Sequence, residues 1–149
     1  MRRDEPSDGV SRLSIGEAAK QSGVKIATIR YYERIGLLGR PARAANNRRS
    51  FDAADLRRLG FIRHARELGF EIDAIRQLLA LADQPERPCS EVDAIAQRHL
   101  AEIESRMKRL KALKIEVSHM IAQCARGSVA DCRIIDVLAH HEHCMNTKH

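Results

Sequence analysis

The stretch from Ser90 to Cys124 constrains the fold most strongly, because it contains neither proline nor glycine. Its apolar residues recur at steps of three and four, the pattern of a coiled-coil seam. The predicted helix is roughly 50 Å long. One narrow seam of that length has no partner in so short a chain, which predicts pairing with a second copy. The seam comprises Val92, Ala96, Leu100, Ile103, Met107, Leu110, Leu113, Val117, and Met120 or Ile121.

Cysteines lie at both ends of this predicted helix. Cys89 comes just before it, Cys124 lies at its end, and Cys132 follows after a seven-residue loop. Within one chain Cys89 and Cys124 are about 50 Å apart and cannot share a site. In an antiparallel dimer the start of one helix lies beside the end of the other. We therefore expect Cys89 of the partner subunit to meet Cys124 and Cys132.

The overall composition narrows the class of protein. The net charge of +6 favours a polyanionic partner, either nucleic acid or a membrane surface. The 3% aromatic content predicts a modest, aliphatic core. No apolar run approaches the ~18 residues of a membrane span, and the first residues lack the apolar middle of a signal peptide. These features predict a cytoplasmic protein, in which cysteines are free or metal-bound rather than paired in disulfides.

Two short helices joined by a glycine follow a polar stretch over residues 1–12, which we expect to be a disordered tail. The first helix is predicted from Ser14 to Ser22, with Ser14 and Glu17 forming a capping-box pattern. Gly23 ends it, and a second helix is predicted over residues 26–35. This arrangement suggests a helix-turn-helix, whose second helix enters the major groove. An ordinary helical hairpin fits the same pattern.

A basic loop comes next. Residues 36–50 contain turn residues between short stretches compatible with a hairpin. They also carry arginines with no acidic residue among them, which suits contacts to DNA phosphates. A solvated surface loop accounts for the same composition. The arginines are Arg40, Arg43, Arg48 and Arg49.

The sequence after the basic loop predicts further helices. One begins at Asp52 and ends near Gly69, one spans residues 70–81, and a short one spans Arg133 to Ala139. The predicted organisation is a tail (1–12), a DNA-binding domain (13–82), a linker (83–89), a dimerisation helix (90–124), and a loop, short helix and His-rich tail (125–149).

The run LSIGEAAKQSGVKIATIRYYERIGLL, from Leu13 to Leu38, closely resembles the signature of the MerR family of bacterial transcription regulators. The resemblance extends to about residue 138. It implies a mainly α fold with a winged helix-turn-helix head, a long antiparallel coiled-coil dimerisation helix, and a short C-terminal effector-binding segment. Further matching positions are Phe51, Asp52, Leu56, Leu59, Phe61, Ile62, residues 66–70, Ile75 and residues 78–81.

The resemblance also implies a mechanism. Family members bind promoters whose two RNA polymerase recognition elements are too far apart, and the effector-loaded dimer distorts the DNA to bring them into register. Thr28, Arg30 and Tyr31 would contact DNA, and Arg49 would be the wing arginine. The family commonly has tyrosine where this chain has Arg48 and Phe51, so its wing contacts differ in detail.

The positions of Cys89, Cys124 and Cys132 resemble those of the metal-sensing branch, whose members control export or detoxification genes. Thiolates select soft or borderline metals. In the copper(I), silver and gold branch a serine stands at the Cys89 position, so the cysteine here implies a divalent effector: zinc, cadmium, lead or mercury. Copper(I) or silver binding by the two loop cysteines alone is the alternative. Candidates for additional metal ligands are His119, His140, His141, His143 and Cys144.

Other functions fit the sequence less well. A thiol redox sensor is compatible with Cys124 and Cys132, but an iron–sulfur cluster usually needs four grouped cysteines. Residues 125–149 contain no aromatic residue that would line a pocket for an organic ligand. No phosphate-binding glycine loop or nucleophile–base pair indicates an enzyme. A structural zinc site would use the same ligands, with metal required for folding rather than for transcription.

Overall fold

The computed structural model describes residues 12–39, 49–124 and 126–145, and it is mainly helical. The chain divides into two compact units between Arg87 and Pro88. Within the described residues no strand forms, and Leu13 and Phe51 make an isolated antiparallel bridge. The helices are α1 (Ile15–Ser22), α2 (Ile26–Arg34), α3 (Ala53–Glu67), α4 (Ile72–Ala82), α5 (Cys89–Ala122) and α6 (Arg133–Ala139). Short 3₁₀ turns span Val129–Asp131 and His141–His143.

Local capping explains where the helices of the first unit begin. The Ser14 hydroxyl accepts a hydrogen bond from the Glu17 backbone N–H, and the Glu17 carboxylate accepts one from the Ser14 N–H. Asp52 and Asp55 form the same reciprocal pair at the start of α3. Each pair satisfies backbone donors that the first helical turn leaves without partners. The capping box predicted at Ser14 is therefore confirmed.

An aliphatic core fixes the helices of the first unit against each other. Helix α1 packs on both α2 and α3, and α3 packs on α4. The bridge through Leu13 and Phe51 joins the chain before α1 to the chain before α3, with both backbone hydrogen bonds 2.8 Å long. The largest fully buried side chains are Phe51, Ile29, Leu37, Leu59, Ile62 and Ile75.

The second unit is built on the 34-residue helix α5. It starts at Cys89, one residue earlier than the sequence pattern indicates, because Pro88 occupies the N-cap, where the missing N–H costs nothing. Most of the predicted seam remains exposed on the single chain, including Met107, which is 63% exposed, and Leu110, which is 64% exposed. Helix α6 packs against α5, and Val137 and Met120 are buried within this unit.

Two predictions fall on residues that the structure leaves undescribed. Residues 1–11 of the predicted tail lie outside the described residues, and so do residues 40–48 of the predicted hairpin, which include Arg40, Arg43 and Arg48. Of the helices in the described part of the chain, none is long and apolar enough to cross a membrane.

Candidate DNA-binding surface and metal centre

Helix α2 has the two faces that a recognition helix needs. Ile29 and Tyr32 are buried in the core and hold the helix in place. Arg30 and Tyr31 lie on the exposed side. The Arg34 guanidinium lies 5.5 Å from the centre of the Tyr31 ring, within the range of a cation–π contact. The exposed face of α2 therefore combines positive charge with an aromatic hydroxyl.

A tight turn sets the angle between α1 and α2. Gly23 caps α1 in the left-handed conformation, with φ of 69°, and its N–H donates to the Ala19 carbonyl. The Arg63 side chain approaches the same glycine and donates to the Ser22 carbonyl at 3.1 Å. A residue with a Cβ would be strained there and would displace Arg63. The glycine is needed for both the conformation and the close approach.

An ion pair joins α2 to Arg49, two residues before the bridge residue Phe51. Arg49 pairs with Glu33, whose side chain is only 7% exposed. Burial raises the pKa of Glu33 above its ordinary value, although the charges of Arg49 and Arg30 oppose that shift. The Arg49 side chain is itself 55% exposed. The pair anchors one predicted DNA-contacting arginine to α2 while leaving much of the arginine side chain accessible.

The structure brings two of the three predicted metal-binding cysteines together. Cys124 follows the end of α5 and Cys132 is the N-cap of α6, and both are half-buried. The two side chains are close enough for Cys124 to influence the Cys132 thiol. Cys89 is exposed at the other end of α5, roughly 50 Å away. A single chain therefore brings two of the three thiols together.

The fold lowers the pKa of the Cys132 thiol. The backbone N–H groups of Ile135 and Ile134, in the first turn of α6, lower the pKa of Cys132, and Cys124 lowers it further. The N–H groups act on the sulfur without forming a regular capping hydrogen bond. A thiolate is the form of cysteine that binds metal, so the donor set fits a soft cation.

The histidines group differently from the cysteines. His140 and His143 lie beside Asp136, and all three offer ligand atoms within 4.8 Å of one another. Among the described residues this is the one cluster of three such side chains. Sequence reasoning missed Asp136, although its spacing of four residues before His140 was a usable signal on a helix. His119 is half-buried on α5, His141 is exposed, and Cys144 is half-buried.

Two family models together match most of the chain. The model described as "MerR HTH family regulatory protein" matches residues 13–82, and the model described as "MerR, DNA binding" matches residues 56–120. The first spans the α1–α2 turn and the bridge. The second continues through most of α5.

Individual proteins match over similar lengths. The HTH-type transcriptional regulator HmrR of Sinorhizobium medicae is 39% identical over 127 residues, covering 85% of this chain and 86% of that protein. Heavy metal-dependent transcription regulator 2 of Rhizobium meliloti is 38% identical over 128 residues, covering 86% and 87% respectively. The crystal structure of PbrR691 from Ralstonia metallidurans in complex with lead(II) has 40% identity and a TM-score of 0.76, covering 85% of this chain and 98% of that one.

Proposed function

Because the chain belongs to the MerR family of transcription regulators, we propose that it binds promoter DNA as a homodimer and activates export or detoxification genes. Its effector is a soft divalent metal ion: lead, cadmium, zinc or mercury. The metal is bound by Cys124, Cys132 and Cys89 of the partner subunit, and the loaded dimer distorts the promoter for RNA polymerase. The adjacent Cys124 and Cys132 thiols at the end of the long helix are the observation that carries this proposal.

Helix α2 supports the DNA-binding part of the proposal. Arg30 and Tyr31 are exposed, Thr28 is half-exposed, and Arg49 is held beside the same helix by Glu33. Side chains on such a helix reach base edges in the major groove, while nearby arginines contact phosphates. The basic loop with Arg40, Arg43 and Arg48 would add phosphate contacts.

The order of seam residues along α5 supports an antiparallel homodimer. The apolar seam residues on α5 lie at equal distances on either side of a point between Arg106 and Met107. If two antiparallel helices cross at that point, each apolar residue of one helix lies opposite an apolar residue of the other. The same centre places Cys89 of the partner subunit opposite Cys124. One alignment therefore covers the exposed seam and completes a three-thiol site at each end. The mirrored pairs are Val92 with Ile121, Ala96 with Val117, Leu100 with Leu113, and Ile103 with Leu110.

The donor set supports a soft effector. Three thiolates favour lead, cadmium, mercury or zinc over hard cations. Relatives named as heavy metal-dependent regulators and a related structure in complex with lead(II) support the same class of ligand. Copper(I) or silver is the second candidate, because the two thiols that one chain brings together would suffice for a two-coordinate monovalent ion.

In vitro transcription from the regulator's own promoter tests the effector. Free zinc, cadmium, lead, mercury, copper(I) and silver are each varied over a concentration series. We expect induction by divalent ions and none by monovalent ions. Induction by copper(I) and silver alone would make Cys89 a spectator and select the alternative. If no metal induced transcription, this result would contradict metal sensing and favour a thiol redox sensor.

Cysteine variants test the site. Cys89→Ser, Cys124→Ser and Cys132→Ser should each abolish induction while promoter binding by the unloaded protein stays close to wild type. Cys144→Ser is the matched control and should respond normally. Unchanged induction in the three site variants would overturn the assignment. Loss of folding on removal of metal would instead indicate a structural zinc site.

An arginine variant tests the recognition helix. Arg30→Ala should weaken promoter binding by about 1–3 kcal/mol, or roughly 5- to 150-fold, whether or not metal is present. Lys108→Ala on α5 removes the same charge from a different unit and should bind normally. Equal affinities for wild type and Arg30→Ala would show that α2 does not face the DNA.

A further inference from the structure

We propose that Asp136, His140 and His143 form a second metal site in each subunit, separate from the cysteines and selective for borderline divalent cations such as zinc, nickel or cobalt. All three residues come from the C-terminal unit of one chain, so this site needs no partner subunit. It goes beyond the effector site proposed above, and the two can be tested separately.

The positions of the ligand atoms suit a first-row metal. The Nδ1 atom of His143 is 3.0 Å from Oδ2 of Asp136, and the Nδ1 atom of His140 is 3.4 Å from its Oδ1. In a tetrahedral zinc site with bonds of about 2.0–2.1 Å, neighbouring ligand atoms lie about 3.3 Å apart. A cation can therefore be accommodated between the two Nδ1 atoms and the carboxylate with only small movements of the side chains.

Local structure explains how three separated residues converge. Asp136 lies in α6, and His140 comes four residues later at the helix C-cap, on the same side. The 3₁₀ turn His141–His143 then brings the chain back, so that the two imidazole rings have centroids 5.2 Å apart. The histidine between them, His141, lies outside the cluster.

Two further contacts hold this arrangement in place. Arg133 donates to Oδ2 of Asp136 at 2.8 Å and to the His143 carbonyl at 3.2 Å. The Met145 N–H donates to the buried carboxylate of Glu116 on α5, at 2.9 Å. The first contact orients Asp136 and His143, and the second ties the chain just after His143 to α5. Arg133 also competes for the carboxylate, which makes this site weaker than one with a free aspartate.

The chemistry of the ligands separates this site from the thiolate site. Two imidazoles and one carboxylate suit zinc, nickel and cobalt, whereas thiolates select mercury and lead. Asp136 is half-buried and both histidines are exposed, which leaves coordination positions for water. A site with three protein ligands and open positions binds metal reversibly.

Metal titration of the full-length protein tests the proposal. The thiolate site is first filled with one equivalent of mercury(II) per subunit, and zinc is then titrated by calorimetry and counted by equilibrium dialysis against free zinc. We expect wild type and His141→Ala to bind one further zinc per subunit. His140→Ala/His143→Ala should bind more than about 100-fold more weakly, since even outer-shell partners are worth about 10- to 100-fold. Wild-type zinc binding by that double variant, or no further zinc in wild type, would overturn the site.

A second measurement makes the result independent of the effector proposal. The variant Cys89→Ser/Cys124→Ser/Cys132→Ser is titrated with cobalt(II), which gives a thiolate-to-metal charge-transfer band only when sulfur is bound. We expect visible d–d bands without charge transfer, and the same spectrum after adding Cys144→Ser. A charge-transfer band lost with Cys144→Ser would contradict the nitrogen and oxygen ligand set. The test succeeds or fails whether or not the three cysteines sense metal.

Discussion

Backbone geometry sets the acidity of Cys132 at the scale of a single residue. The sequence already places this cysteine at the start of a short helix, where the positive end of the helix dipole favours a thiolate. In the structure the N–H groups of Ile135 and Ile134 are the leading causes of its lowered pKa, ahead of Cys124. The Cys132 thiol therefore ionises more readily in the folded chain than an ordinary cysteine does.

Alkylation kinetics measure this effect. The metal-free protein is labelled with iodoacetamide over a pH series, and the labelling rate of Cys132 is followed by peptide mass spectrometry. The pH at which this rate reaches half its maximum should be lower in the folded protein than in urea. Thiolates react and thiols do not, so the midpoint follows the pKa. Cys124→Ser should keep most of the shift, because the backbone N–H groups remain. Equal midpoints in the folded and unfolded protein would contradict the assignment.

Two glutamates of the first unit are shifted in opposite directions. Burial raises the pKa of Glu33 despite the opposing charge of Arg49. The backbone N–H and hydroxyl of Ser14 lower the pKa of Glu17. By linkage, the stability that Glu33 contributes is present below its unfolded pKa and is lost as the pH rises through its folded pKa. The contribution of Glu17 is present above its unfolded pKa and is lost as the pH falls.

Glutamine variants should therefore show opposite pH dependences. As the pH rises from ~4 to ~7, the free energy of unfolding of Glu33→Gln should increase relative to wild type, and that of Glu17→Gln should decrease. Urea unfolding at a series of pH values measures both. Each variant serves as the control for the other, because both replace one carboxylate by its amide. Parallel trends would contradict the assigned environments.

Sequence spacing predicts side-chain contacts only when they are local or belong to a known pattern. The proximity of Cys124 and Cys132 follows from a short loop after a helix, and the structure agrees. The ion pair between Glu33 and Arg49 joins residues on separate segments, and no periodicity indicates it. Asp136 was missed because an acidic residue on a short amphipathic helix usually faces solvent.

Individual helices were predictable because their start and stop signals are local. The bounds of α6 agree with the prediction, and α2 ends one residue earlier, at Arg34. Helix α4 begins at Ile72, two residues after the predicted start at Phe70. The reason is that Gly69 has a φ of 86° and Glu71 serves as the N-cap. Such caps act over one or two residues, which periodicity alone does not resolve.

The α1–α2 turn gives a prediction at the same scale. Gly23→Ala should lower the free energy of unfolding by about 1–2 kcal/mol, because a side chain is strained in the left-handed conformation. Gly16→Ala is the matched control, since the nearest atom to its new Cβ is 3.9 Å away. It should be neutral or stabilising by up to ~1 kcal/mol. Equal effects in urea unfolding would show that the turn does not require glycine.

For the whole molecule, the exposed seam of α5 is the dominant feature. Apolar periodicity predicted a long helix, and the structure has one of 34 residues. The partner that we propose for the seam is a second chain, so sequence periodicity predicts dimerisation and a single chain leaves it untested. The mirrored order of the seam adds the expected direction of pairing.

Paired substitutions near the seam centre test dimerisation. Met107→Gln/Leu110→Gln should raise the dimer dissociation constant by at least about 100-fold, because burying each of these side chains contributes about 1.5–3 kcal/mol. Lys108→Gln/Lys111→Gln changes neighbouring charged residues that do not belong to the seam and should leave the dimer intact. Sedimentation equilibrium measures both. An unaffected dimer in the first variant would place the interface elsewhere.

Arg133 makes hydrogen bonds at both of the proposed metal sites. It donates to Gln123 beside Cys124, to Asp136, and to the carbonyl of His143. One side chain is therefore bonded both to the residue next to Cys124 and to two residues of the histidine site. If zinc at the histidines tightens mercury binding at the thiolates, mercury must tighten zinc binding by the same factor, because the coupling free energy between two ligands is reciprocal. Through Arg133, the regulator would respond to a combination of metals rather than to the concentration of one.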